Sequence, residues 1–282
     1  FTFMLGGFFP RNEASLAAFF LWHPWLYMFL VPAVGMRLWS EERRLGTLEL
    51  LMTMPINTLH AVLGKFVAGW LFLGFALLMT FPMVLTVAKL GNPDGGVVIC
   101  GYIGSFLMAG AFLAISSMTS SMTRNQVVSF IVSVGLCFLL ILAGWPPVTN
   151  VLVKLYESVW FLRLMVASLV GLCSLVTFAI LRLAGVPVRG LRMDSIWWCV
   201  TVIAAAVGLC WDKIGIFGGT AFRGAVEGIA SSLVDFAIKV SVMGHFDALQ
   251  RGVVDVRDVV YFLTIIVFAL FTTSVMLKTR RA

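Results

Sequence analysis

Long runs without a charged residue constrain this chain more than any other feature. Stretches free of Asp, Glu, Lys and Arg cover 14–36, 66–88, 95–123, 125–153, 164–181, 195–211 and 259–277. A helix needs about 17 to 20 apolar residues to cross the hydrocarbon of a bilayer. Each run is near or above that length, so there are seven candidate spans. Residues 1–9 have the character of the tail of another, and the start at Phe1 suggests that an N-terminal piece is missing. The composition agrees: 61% of the 282 residues are hydrophobic and 12% are charged. A soluble domain carries about twice that share of charge. Lipid, where every backbone group must be satisfied within the protein, is the solvent that suits such a chain. The expectation is an all-α polytopic membrane protein with about eight transmembrane helices, the first truncated.

Charge orients the spans. If they alternate, one side holds 37–65, Arg124, 182–194 and the C-terminus. It carries eleven Lys and Arg against Glu41, Glu42, Glu49 and Asp194. Short loops rich in Lys and Arg stay in the cytoplasm, so this side is expected there. The net charge of +7 then reads as membrane topology, and no nucleic-acid partner is expected. Cys100, Cys137, Cys173, Cys199 and Cys210 lie in or beside apolar runs without a CxxC motif. They read as small hydrophobes.

Local features fill in the plan. Pro24 and Pro32 should kink the 14–36 span. His23, among aromatic residues, reads as a packing residue. Gly101, Ser105 and Ala109 recur every fourth residue, a strip that lets helices approach closely in lipid. Its expected role is packing within the chain. Residues 222–243 repeat apolar positions with the helical period and suggest an amphipathic helix on the outer surface, ended by Gly244. Two spans at about 161–183 and 195–211 are expected around the basic turn Arg189–Arg192.

The densest charge cluster is the cytoplasmic stretch from Ser40 to Met54. Ser40 can cap a helix there, with Glu41 and Glu42 at its positive end. Leu45, Leu48 and Met52 make one apolar stripe, and Pro55 stops the helix. On its residues alone, this segment fits either a docking helix or a solvated turn.

Catalytic machinery is not evident. The one Gly-Lys pair, Gly64-Lys65, is followed by Phe66 and lacks the phosphate-loop hydroxyl. There is no HExxH, and His23, His60 and His245 are far apart in sequence. No charge lies deep in a span, which argues against an ion-coupled carrier. Catalytic, cofactor-binding and metal-binding residues are therefore expected to be absent.

The string Met36-Arg37-Leu38-Trp39-Ser40-Glu41-Glu42-Arg43-Arg44-Leu45-Gly46-Thr47-Leu48-Glu49-Leu50-Leu51, with Pro55 and Gly64-Lys65, resembles ABC-2 type transporter permeases. The string Gly252-Val253-Val254-Asp255-Val256-Arg257-Asp258 with Tyr261-Phe262 is similar to the start of the last span in the gliding-motility group. The resemblance implies a single transmembrane permease domain over 1–282 with an ABC-2, type V exporter-like core. It implies a cytoplasmic coupling helix over 40–54 that docks on a separate ATP-binding-cassette ATPase, the partner that binds ATP. Glu41, Glu42, Arg43, Arg44, Gly46, Thr47 and Glu49 occupy that docking motif. It also implies a second permease copy or a related permease, an extracytoplasmic accessory subunit and a multi-pass place in the bacterial inner membrane. The family plan has six spans, so 147–221 reads as an insertion with two extra ones. The function expected is ATP-coupled export or mechanical work by a permease that is not itself an enzyme. The alternative is a non-transporting scaffold of a motility or envelope-assembly complex.

Overall fold

Proline decides where the apolar runs break. A proline lacks its amide hydrogen and is best tolerated in the first turn of a helix. In the computed structural model, α1 (Ala17–Leu21) stops and α2 (His23–Gly35) begins with Pro24 in its first turn. Likewise α5 (Thr58–Leu78) stops two residues before α6 (Phe81–Leu90), which has Pro82 in its first turn. Pro32 lies inside α2 without ending it, and its carbonyl accepts the Met36 amide at 2.8 Å. The helix breaks at Met36, after which α3 (Arg37–Leu45) begins.

The structure describes residues 16–53, 57–157, 228, 231–232, 234–252 and 254–279. The remaining helices are α4 (Thr47–Thr53), α7 (Gly95–Met122), α8 (Gln126–Leu142), α9 (Pro146–Glu157), α10 (Val242–Gln250) and α11 (Val256–Thr279). Among the described residues all regular structure is helical. Three stretches there are long and apolar enough to cross a membrane: Thr58–Leu90, Gly95–Met122 and Val256–Thr279. The expected segment 1–9, the spans at 161–183 and 195–211 and most of the 147–221 insertion lie outside the described residues.

The chain divides into two compact units, one of Phe1–Trp145 with Val240–Ala282, the other of Pro146–Lys239. In the second, α9 is a twelve-residue helix with two prolines at its start. Residues 234–240 are helical, but the expected 222–243 helix does not run on to Gly244. It yields at Ser241, whose hydroxyl accepts from the Met243 amide at 3.1 Å and caps a new helix, α10. Gly244 sits inside α10, because a capped start commits the backbone to a further turn.

In the first unit α7 is the axis. Of its most apolar stretch 72% is buried, against 11% for α5–α6 and 33% for α11. Small residues make this possible. A Cβ on Gly101 would lie 2.6 Å from the Phe20 ring, and one on Gly110 would lie 2.7 Å from Trp70 Nε1. Ser105 and Ala109 of the expected strip are buried as well. Helices α2, α5, α8, α10 and α11 all pack against α7. Lipid supplies no hydrophobic drive between helices, so close packing and interhelical hydrogen bonds hold the bundle. Trp70 Nε1 donates to Phe106 O at 2.9 Å while the two rings stack at 4.5 Å. The expected packing role of His23 is seen: it is buried among Phe19, Phe20 and Tyr27.

Candidate functional site

The charge-dense stretch is not one helix from Ser40 to Met54. It is two helices, α3 and α4, that meet at Gly46. Gly46 has φ +75°, a left-handed conformation that a residue with a Cβ adopts only with strain. The Thr47 hydroxyl reaches back across the bend to Glu42 O at 3.4 Å. Helix α3 also begins three residues earlier than expected. Ser40 lies within it and donates its hydroxyl to Met36 O, so it is not the cap. The last described residue of α4 is Thr53; Pro55 lies outside the described residues.

This elbow sorts the seven motif residues. Arg44, Gly46, Thr47 and Glu49 are exposed, Glu41 and Glu42 are half-buried, and Arg43 is buried. The expected stripe of Leu45, Leu48 and Met52 is split by the bend. Leu48 packs on the core, whereas Leu45 is 63% exposed. Leu50, absent from that stripe, is 64% exposed. The outward surface therefore mixes a cation, an anion, a hydroxyl and two leucines.

Two sets of contacts fix the elbow to the bundle. Lys65 of α5 bonds the Glu42 carboxylate, donates to Leu38 O at 2.9 Å, and stands 4.5 Å from the Trp39 ring centroid. Trp39 itself is fully buried. Its indole Nε1 donates to Ser117 Oγ at 3.0 Å. The amides of Trp39 and Ser40 both donate to Ser120 Oγ at 3.0 Å, and Ser120 Oγ donates to Met36 O at 2.8 Å. Interhelical hydrogen bonds in lipid are worth about 0.6 kcal/mol each, and up to about 2. Several converging on one turn of helix hold it firmly. Gly35, just before the break, lies so close to Ser116 that a Cβ there would sit 2.3 Å from Ser116 Oγ.

A second polar cluster occupies the opposite end of α7. His245 Nδ1 of α10 donates to Asp258 Oδ1 of α11 at 2.6 Å, and its ring stacks on Tyr261 at 4.0 Å. The Tyr261 hydroxyl donates to Val240 O. Asp258 is 5% exposed. Nearby, the burial of Asp247 holds its carboxyl above the usual carboxylate range, with Arg251 pulling the other way. Among the described residues no group of His, Cys, Asp and Glu could hold a metal ion.

Trp39 and Lys65 belong to the string that carries the family resemblance, but nothing in that string marks them, or Ser117 and Ser120, as anchors. One signal was available. Ser116-Ser117-Met118-Thr119-Ser120-Ser121 places five hydroxyls at the end of an apolar run, and hydroxyls in lipid need partners. The His245–Asp258 pair has no such local signal, since its members are 13 residues apart.

A family model described as ABC-2 family transporter protein matches residues 13–186. That is more than half of the chain and contains the whole elbow. The chain belongs to the ABC-2 family. No curated protein and no solved structure matches it. Family and apolar helices together make it a membrane protein, a permease of the ABC-transporter kind. In this ABC-2 permease the match ends before α10 and α11, so the His245–Asp258 cluster stands outside it.

Proposed function

We propose that this ABC-2 permease couples ATP hydrolysis by a separate ATP-binding-cassette subunit to export or to mechanical work across the membrane. The observation that carries the reading is the elbow: an exposed, charged, glycine-bent surface tied at its base to the central helix. A free turn stabilising topology would have no need of such an anchor. The residues offered to the ATPase are Arg44, Leu45, Gly46, Thr47, Glu49 and Leu50, with Glu41 at the rim. Glu42 and Arg43 face inward and shape the elbow. In this reading the elbow is cytoplasmic and the His245–Asp258 end faces outward. The membrane is the bacterial inner membrane, crossed about eight times, and the permease works as a dimer with a second copy or a related chain. The string from Gly252 to Tyr261 supports placing it near the gliding-motility group.

The test is capture of a co-expressed ATP-binding-cassette ATPase from the same genome by the tagged permease in detergent. Wild type should retain it. Arg44→Glu with Glu49→Lys should lose most of it while folding normally, because both groups are exposed. Full retention by the double variant would refute elbow docking.

A further inference from the structure

We infer that Ser120 is a positioning residue that fixes how the elbow leaves α2 and passes a load on the elbow to α7. This rests on the elbow being the ATPase contact. Backbone geometry alone does not explain the break between α2 and α3. Met36, the residue between them, has helical angles of φ −57° and ψ −28°, so the two helices could run on as one. What interrupts them is a side chain from a different helix. In an unbroken helix the Ser40 amide would donate to Met36 O. Here it donates to Ser120 Oγ, together with the Trp39 amide, and Met36 O receives two hydroxyls instead, those of Ser120 and of Ser40 itself. Insertion of a side chain into the helical ladder is a recognised cause of a sharp bend.

The chemistry of the insertion is complete. A hydroxyl has one proton to give and two lone pairs to receive with, and Ser120 uses all three. Ser117, one position short of a full turn away, holds the Trp39 indole at 3.0 Å. Gly35 and Ser116 touch on the other side of the break, with no room for a methyl group. The pivot is thus made of α2–α3 backbone and α7 hydroxyls, both buried. The helix that carries these hydroxyls is also the one on which α2, α5, α8, α10 and α11 pack. A push on α3–α4 therefore reaches the helix best connected to the rest of the bundle without crossing a flexible loop.

The experiment is hydrogen exchange by mass spectrometry on the permease–ATPase complex in nanodiscs, with and without ATP. The chains compared are wild type, Ser120→Ala, Ser120→Thr and Ser117→Ala. In Ser120→Ala the complex should still form, and amides over 36–45 should exchange at least about tenfold faster, since all three hydrogen bonds of Ser120 are lost and one alone is worth up to about tenfold. The ATP-dependent change over α4 should persist while that over α7 disappears. Ser120→Thr keeps the hydroxyl and should match wild type. Ser117→Ala removes only the indole bond, so it folds even where Ser120→Ala does not, and should weaken the α7 response without abolishing it. An ATP response of α7 left intact in Ser120→Ala, or lost equally in Ser120→Thr, would overturn the inference. A wild-type complex in which ATP leaves α4 unchanged would instead overturn the coupling reading beneath it.

Discussion

Lys65 of α5 holds Glu42 of α3 across 23 residues of chain, and each side chain is 27% exposed. An ion pair open to water to this degree contributes about 0 to 1 kcal/mol. Its use is therefore geometric: it closes α3 onto the start of α5. Lys65→Met should leave the melting temperature within a few degrees of wild type, yet raise proteolytic cleavage between 45 and 57. Restoring the pair in reverse, Lys65→Glu with Glu42→Lys, should bring back less protection than wild type has, because Lys65 also donates to Leu38 O.

Gly35 tests the contact beside the pivot. A methyl group there meets Ser116 Oγ at 2.3 Å and Ser116 Cβ at 2.5 Å. Overpacking of this kind costs about 1 to 3 kcal/mol. Gly35→Ala should lower the melting temperature in detergent by several degrees. Gly135→Ala is the control, since nothing lies within 4 Å of its new Cβ. In mid-helix that change should be neutral or stabilising by up to about 1 kcal/mol.

Gly46 tests the bend. Space is not the constraint, since nothing lies within 4 Å of a Cβ placed there; φ +75° is. The left-handed region costs an ordinary residue about 1 to 2 kcal/mol. Gly46→Ala should shift the elbow and reduce ATPase capture without lowering expression. Gly46→Asn, which tolerates this conformation better, should keep more of it.

His245 and Asp258 stabilise the far end. Removing the imidazole leaves a carboxylate that is 5% exposed without its partner. Leaving a buried polar group without its hydrogen-bond partner costs about 1 to 3 kcal/mol. His245→Ala should therefore destabilise strongly. His245→Ala with Asp258→Asn should recover part of the loss, because no charge is then stranded. A double variant as unstable as the single one would show that stacking on Tyr261, not charge, is what matters.

Asp247 gives a pH dependence of definite sign. Burial raises its carboxyl above the usual range, against the pull of Arg251. The folded protein thus holds this proton more tightly than the unfolded chain. Its contribution is fully present below the ordinary carboxylate value and is lost as pH rises through the raised one. Asp247→Asn should flatten that part of the curve of melting temperature against pH.

The elbow shows how far residues alone could be read. Its charges, its place between apolar runs and its likeness to the ABC-2 motif were all visible from Met36 to Leu51. The split at Gly46 was visible as a glycine but not as a bend, since glycine inside a helical pattern is tolerated at about 1 kcal/mol. The start at Arg37 was not visible at all. Ser40 is a good capping residue, yet it lies inside α3, its hydroxyl on Met36 O and its amide on Ser120 Oγ from 80 positions away.

Sequence by itself determined the solvent of this protein, because the length of a charge-free run is a local property that the bilayer reads directly. It determined the family as well, through a contiguous charged string. It also placed the close packing on α7, since small residues at every fourth position share one helix face. Which hydroxyl meets which amide was decided only by the tertiary structure. Ser117 and Ser120 acquire their roles from Trp39 and Met36, and Asp258 from His245, once packing brings distant helices together. In lipid each buried polar group must find a partner within the protein, and the sequence states the need without naming the partner.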